Sequence, residues 1–399
     1  MSRHAARHRD LSQTMGSGRV HDGFVNPPVF TDTAFRDEYL QNVHIDEVLH
    51  ENAPVCCAAA PWSSGRPRVN NSPRQRGRPQ QNPDHRRNIR CPSCALCGGR
   101  LSASAMKHLR NVSLKDYCTY RIGGTARDFY APENMEEMVA LVRDLRARCA
   151  SFWIHGGGAN TLFPDGEVHL PIVSTSSMTA LRREDGLVFA ESGKVMDAWV
   201  LEALRAGLGG VECLSGIPGT LGGALFMNAG AYGQEISDHL RSVTVLDQNG
   251  RVIEIPAEQC GFGYRRADAL RDKVILAGTW ELPPADSAPA LARRKEILAR
   301  RKEKQPLEFP SAGSVFKRPE GAFASRLIDE AGLKGARVGG AQVSEKHAGF
   351  IVNTGGATSR DVLELIDLCR RTVRENSGYD LELEQRICPA GDVPEPEKD

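Results

Sequence analysis

Apolar residues fall into helix-spaced and strand-like patterns only from about Met106 onward. Behind Asn134, whose side-chain oxygen suits a helix N-cap, Met138, Val139, Leu141, Val142 and Leu145 share one face of a helix predicted over 136–149. The stretch 195–206 repeats that pattern and stops at Gly207. The run Phe152-Trp153-Ile154 predicts a buried strand. Val243–Leu246 and Val252–Ile255 flank Asn249-Gly250, which predicts a hairpin with a two-residue connection. A basic helical stretch over 291–304 ends before Pro306. Beyond it come a helix over 322–331 closed by Gly332, a strand over 349–353, and a last helix over 360–375 ending near Gly378. Its Val362, Leu363, Leu365, Ile366 and Cys369 are predicted to face inward. The pattern predicts an α+β fold with one globular unit over 106–284, a second over 285–391 and a tail over 392–399.

Composition adds a boundary. The 399 residues, 40% hydrophobic and 25% charged, suit a globular protein of more than one domain. The formal net charge of +1 hides an asymmetry, because residues 1–105 hold fourteen Arg, no Lys and nine acidic residues. Within them 61–90 is dense in Arg, Pro, Asn and Gln, too poor in apolar surface to offset an ordering cost of about 1–2 kcal/mol per residue. Residues 1–105 are therefore predicted to be a disordered extension, with Met106 as the functional start. Cys91, Cys94 and Cys97 have the spacing of half a zinc ribbon but lack the other half, so they are read as chance cysteines in a disordered lead and no metal is expected. Cys118, Cys149, Cys213, Cys260, Cys369 and Cys388 show no pairing rhythm and are expected as reduced core thiols. No eighteen-residue apolar run and no signal sequence is visible, which predicts a cytoplasmic protein without membrane or nucleic-acid partners.

Candidate chemistry lies where the patterning breaks. Ser215-Gly216-Ile217-Pro218-Gly219-Thr220-Leu221-Gly222-Gly223, followed by Asn228-Ala229-Gly230-Ala231-Tyr232-Gly233, has too many glycines to pack an apolar face. Such a run lets backbone N–H groups approach an anion closely. A second run, His155-Gly156-Gly157-Gly158-Ala159-Asn160-Thr161, follows the strand at Phe152. Two loops of this kind point to a large dinucleotide. Neither matches the Gly-x-Gly-x-x-Gly fingerprint with a downstream acid, which argues against a Rossmann domain.

Eight motifs in chain order resemble the UDP-N-acetylenolpyruvoylglucosamine reductase family. They are Tyr120–Gly124, Gly156–Thr161, Ser215–Gly219, Asn228–Gly233, Phe262–Arg265, Lys304–Pro306, Ala312–Lys317 and Leu381–Glu384. The resemblance implies an FAD domain of the vanillyl-alcohol oxidase and p-cresol methylhydroxylase type, with a smaller α+β substrate domain behind it. It implies noncovalent FAD held by Tyr120, Arg121, Gly156, Gly157, Gly158, Ala159, Asn160, Thr161, Ser215, Gly216, Ile217, Pro218, Gly219, Gly223, Asn228, Gly230 and Ala231, with phosphates on loop amides and at a helix N-terminus. NADPH is the implied hydride donor, and UDP-N-acetylglucosamine enolpyruvate the substrate, reduced to UDP-N-acetylmuramate for peptidoglycan by a UDP-N-acetylmuramate dehydrogenase.

Hydride addition to an enolpyruvyl ether leaves negative charge at C2 and its carboxylate, so the site needs a cation and a proton donor. Arg265 matches the family's carboxylate-binding arginine; if 262–265 is extended, Arg266 points to the other face. Ser314 matches the donor to C2. Glu384 matches an acid that polarises the enolpyruvyl group, as the neutral acid or through a bound water, with burial expected to raise its pKa. Glu382 would share its face, and Gln385 stands where the family more often has valine. Tyr264, Arg301, Lys304 and Lys317 are candidates for the substrate, with a solvated helix face the alternative for Arg301. The short spacings imply the family's second type, without the tyrosine-loop insertion, and a monomer is expected. His155 is read as a polar strand-end residue, not a covalent flavin link. Two other readings remain: an oxidase on the same FAD scaffold, and a zinc or nucleic-acid regulator built on the Arg-rich prefix.

Overall fold

The computed structural model describes residues 106–391 and the two-residue strand His50–Glu51. That strand pairs antiparallel with Trp153 and Ile154, so the expectation of a disordered prefix does not hold at 50–51; the rest of the prefix, with Cys91, Cys94 and Cys97, and the tail 392–399 lie outside the described residues.

In the first sheet Thr125–Ala131 pairs antiparallel with Lys107–Ser113 and parallel with Ile172–Ser174, which runs parallel to Trp153–His155. Parallel strands require a crossover, and helix Met135–Ala147 makes one between Thr125–Ala131 and Trp153–His155. The Asn134 side chain accepts the Glu137 N–H at 2.9 Å, and all five expected apolar residues are buried. The helix stops short of Cys149, which is exposed with φ of +53° and so is not the core residue its spacing suggested. Cys213 is only half-buried, whereas Cys118, Cys260, Cys369 and Cys388 are buried thiols.

A second, antiparallel sheet orders Val252–Pro256, Leu240–Leu246, Val274–Trp280, Leu187–Glu191 and Leu181–Glu184. Its hairpin is present with a longer turn than predicted. The Asp247 N–H bonds the Arg251 carbonyl at 2.9 Å, leaving three residues, 248–250, with Gly250 at φ of +74°. A type I turn closed by a left-handed glycine has this form. In the third sheet Ala341–Val343 lies between Arg337–Val338 and Ile351–Asn353. Helix Ser359–Ser377 packs on that sheet, opened by a Thr358–Asp361 capping box and closed by Gly378 at φ of +75°.

Three apolar clusters hold these layers together. Leu114, Phe129, Trp153 and Phe163 share one core with Val315, Phe316, Ile351 and Leu365, so the earliest described strands pack against the last elements. Trp199, Leu225, Val245 and Trp280 centre the second, where the Trp199 and Trp280 rings lie 4.8 Å apart. Met138, Val142, Phe152, Val173, Leu246 and Leu276 tie the two large sheets through the crossover helix. Each such side chain stabilises the fold by about 1.5–3 kcal/mol. Polar ties reinforce the first core: Asp165 accepts the Ser359 and Arg360 N–H groups at 2.7 and 3.1 Å, and Arg386–Ile387 pairs in parallel with Thr161–Leu162.

Candidate active site

The first glycine loop is built by close approach. Gly158 has φ of +73°, and a Cβ there would stand 2.1 Å from the Tyr117 carbonyl oxygen, so no larger residue fits. The same loop reaches the last segment of the fold. Asn160 donates from Nδ2 to the Glu384 carbonyl at 3.1 Å and accepts the Arg386 N–H on its own carbonyl at 2.8 Å. Tyr120 is fully buried and donates its hydroxyl to Gln385 Oε1 at 3.2 Å; burial raises its pKa, which keeps the phenol protonated. Arg121 is exposed, with φ of +53°.

The second loop is held from below by a helix. The Gly216 N–H donates to Asp197 Oδ1 at 2.6 Å, and Asp197 also pairs with Arg294, whose Nη2 lies 2.7 Å from Oδ2. Arg301, on the same helix Ser287–Lys304, donates from Nε to the Ser215 carbonyl at 2.9 Å and has its guanidinium 5.6 Å from the Tyr232 ring. At 1% exposure it lies under the glycine loop, not on a solvated face. Helix Leu221–Met227 follows the loop and carries Gly223, but its Leu221 and Gly222 N–H groups donate to the Lys194 and Ser192 carbonyls at 2.9 and 2.8 Å. Those two amides are engaged within the fold, which trims the expectation of a phosphate at this helix N-terminus. Asn228 ends the helix at φ of +50° and donates to Glu235 Oε2 at 2.5 Å.

The two loops meet through segments that the sequence reading passed over. The Thr175 N–H donates to the His155 carbonyl at 2.9 Å, Gly193 packs against the Thr175 carbonyl, and the Ser192 carbonyl receives Gly222. Ser174, Thr175 and Ser192 are all buried. Hydroxyls ending the apolar runs 172–173 and 188–190 were the available signal. Buried side-chain oxygens without a hydrogen-bond partner gather on this wall: Asn160 Oδ1, Thr161 Oγ1, Ser192 Oγ, Ser215 Oγ and Thr220 Oγ1. Each is costly unless a polar ligand satisfies it, so the wall fits the pyrophosphate and ribityl groups of a flavin dinucleotide.

Beside this wall three segments converge. Tyr264 and Arg265 form the turn of a tight hairpin between Phe262–Gly263 and Arg266–Ala267, with Arg265 at φ of +53°. Residues 262–265 are therefore not extended; the turn, not strand alternation, separates Arg265 from the exposed Arg266. A left-handed arginine is strained by about 1–2 kcal/mol and persists only because its surroundings hold it. Arg265 Nε donates to Glu384 Oε1 at 2.5 Å, and Nη2 donates to the Gly230 carbonyl at 3.3 Å. Both side chains are largely buried, at 13% and 2% exposure. The guanidinium against Glu384 favours its carboxylate form, opposing the desolvation on which the expectation of a neutral acid rested.

Ser314 is half-buried and bridges to Phe350, and the next carbonyl, on Val315, accepts the Glu384 N–H at 2.9 Å. Ser314 and Glu384 thus lie on adjoining backbones while Arg265 enters from elsewhere. Glu382 is turned outward to Lys317 Nζ at 2.6 Å. Tyr264 is 48% exposed, accepts the Arg318 N–H at 3.2 Å, and lines an open cleft with Arg266, Arg271, Lys317, Arg318 and Glu382. Lys304 is exposed at its helix end, where Lys346 Nζ bonds the Lys302 carbonyl at 2.8 Å.

Residues 127–256 match an FAD binding domain model, and residues 305–388 match the model of the UDP-N-acetylenolpyruvoylglucosamine reductase C-terminal domain. A UDP-N-acetylenolpyruvoylglucosamine reductase of Clostridium novyi is 41% identical over 278 residues, 69% of this chain and 91% of its own length. That of Clostridium tetani is 38% identical over 283 residues, 71% of this chain and 92% of its own. The crystal structure of the Thermus caldophilus reductase superposes with a TM-score of 0.61 at 36% identity, covering 71% of this chain and 99% of that one. Fold and site therefore define a flavin-dependent oxidoreductase, with an FAD domain of the vanillyl-alcohol oxidase type and a distinct C-terminal domain. Within that class the chain belongs to the UDP-N-acetylenolpyruvoylglucosamine reductase family.

Proposed function

We propose that this protein reduces UDP-N-acetylglucosamine enolpyruvate to UDP-N-acetylmuramate with NADPH, a step of peptidoglycan precursor synthesis. The observation that carries the reading is the convergence of Arg265, Glu384 and the Ser314 loop beside the polar wall. Noncovalent FAD bound along that wall supplies two-electron hydride chemistry. Arg265 binds the substrate carboxylate and offsets the charge that develops on it. Ser314 delivers a proton to C2, and Glu384 orients Arg265 and the enolpyruvyl group. Tyr264 and Lys317 in the basic cleft, with Lys304 at the end of helix Ser287–Lys304, hold the diphosphate, whereas the buried Arg301 supports the glycine loop. The FAD part covers 106–284 and the substrate part 285–391. A nucleotide sugar and NADPH as reactants place the enzyme in the cytoplasm, and among the described residues no helix is long and apolar enough to cross a membrane.

The test separates the half-reactions. Ser314→Ala should leave flavin reduction by NADPH nearly intact and slow reoxidation by the enolpyruvyl nucleotide by about 100-fold or more. Stopped-flow flavin absorbance reads both rates, and equal slowing of the two would remove Ser314 from this role.

A further inference from the structure

Gln385 is 3% exposed and stands next to Glu384. Its amide is engaged on both ends. Nε2 donates to the Ala312 carbonyl at 2.8 Å and reaches the Gly313 carbonyl at 3.4 Å, while Oε1 accepts the Tyr120 hydroxyl at 3.2 Å. Ala312 and Gly313 are the two peptides before Ser314, and Gly313 has φ of +70°, a flexible joint at the point where that hydroxyl is aimed. Tyr120 is anchored in turn, because its carbonyl accepts Asn353 Nδ2 at 3.0 Å. The Ala312 and Gly313 carbonyls can only accept, which turns Nε2 toward them and leaves Oε1 to take the phenol proton.

We propose that Gln385 is a positioning residue for the protonation step, clamping the backbone ahead of Ser314 to the flavin-side Tyr120 so that the serine hydroxyl is held over the substrate beside Glu384. The inference rests on the reading of Ser314 as proton donor. An aliphatic residue at 385 would fill the same space without holding either carbonyl. Small displacements of a reacting group, on the order of 1 Å, lower rates by about 100-fold, so the clamp acts on rate beyond its effect on stability.

Three variants separate the two effects: Gln385→Met, Tyr120→Phe and the double variant. Each single change leaves a buried polar group without its partner and should lower the melting temperature, whereas the double removes both ends of the Tyr120–Gln385 bond and should recover part of that loss. The proposal expects flavin reduction by NADPH to be unchanged in Gln385→Met, and in the two variants that change Tyr120 reoxidation is read relative to each variant's own flavin content and reduction rate. Reoxidation by the enolpyruvyl nucleotide should slow by about 10- to 100-fold in Gln385→Met and stay slow in the double variant despite its recovered stability. Tyr120→Phe, the milder change, should slow reoxidation with little effect on KM. Reoxidation that recovers in step with melting temperature would overturn the proposal, as would a normal rate in folded, flavin-loaded Gln385→Met. If Gln385→Met does not fold, a normal reoxidation rate in Tyr120→Phe overturns it instead. A wild-type protein whose reduced flavin ignores the enolpyruvyl nucleotide would bring down the reading of the site itself.

Discussion

His155 shows how a single buried group sets a pH response. It is 1% exposed beside Phe163 and Tyr117, and desolvation pushes its pKa down to about 4, opposed by a backbone hydrogen bond to Tyr117. Above its ordinary value of about 6.5 the ring is neutral whether the chain is folded or not. Below that value the unfolded chain takes up a proton that the folded one refuses, so stability is lost as pH falls from about 6.5 to about 4, by about 3 kcal/mol at most. Urea midpoints of wild type and His155→Asn across this range test it; parallel slopes would show that other groups govern the acid limb. Arg265 teaches a related lesson about legibility. Its identity as the carboxylate-binding candidate was readable from Phe262–Arg265, but its left-handed backbone and its pairing with Glu384, 119 positions away, were not. A motif records residue types in order and carries no information about which distant charge meets them.

Helix Ser287–Lys304 was visible in its basic, helix-spaced sequence, yet its use was not. Arg294 turns inward to Asp197 on helix Met196–Arg205 and Arg301 to the Ser215 carbonyl above it, acceptors that lie far away in sequence. Periodicity reports apolar faces, so a face that packs through guanidinium groups reads as solvent-exposed. The last helix, Ser359–Ser377, predicted over 360–375, was legible from its inward Val362, Leu365, Ile366 and Cys369 and its Gly378 stop, which are local signals. Its second cap was not. Asp165 lies 194 positions before Ser359 and accepts two amides from the helix's first turn, where a negative charge also meets the positive end of the dipole. Asp165→Ala should destabilise the protein by about 1–2 kcal/mol by chemical denaturation. An unchanged midpoint would mean that Thr358 and Asp361 suffice alone.

The relatives match this chain over about nine-tenths of their own length, and among the described residues the three apolar cores draw on Met106 and later positions. A variant lacking residues 1–105 is accordingly expected to keep its flavin content and turnover, measured by absorbance spectrum and NADPH oxidation. Loss of activity with flavin retained would assign the prefix a part in function. Local rules of capping, periodicity and glycine placement were enough to read from the residues alone an α+β chain, its main helices, two tight glycine loops and, through eight ordered motifs, a reductase family. The chain order could not say that strand Thr125–Ala131 shares a core with the last helix, that Asn160 and Gln385 strap the Glu384 segment to the first glycine loop and to the Ser314 loop, or that Arg301 lies buried. Those facts come from contacts between residues far apart in sequence, chosen by which folded arrangement buries the most apolar surface while giving each buried polar group a partner.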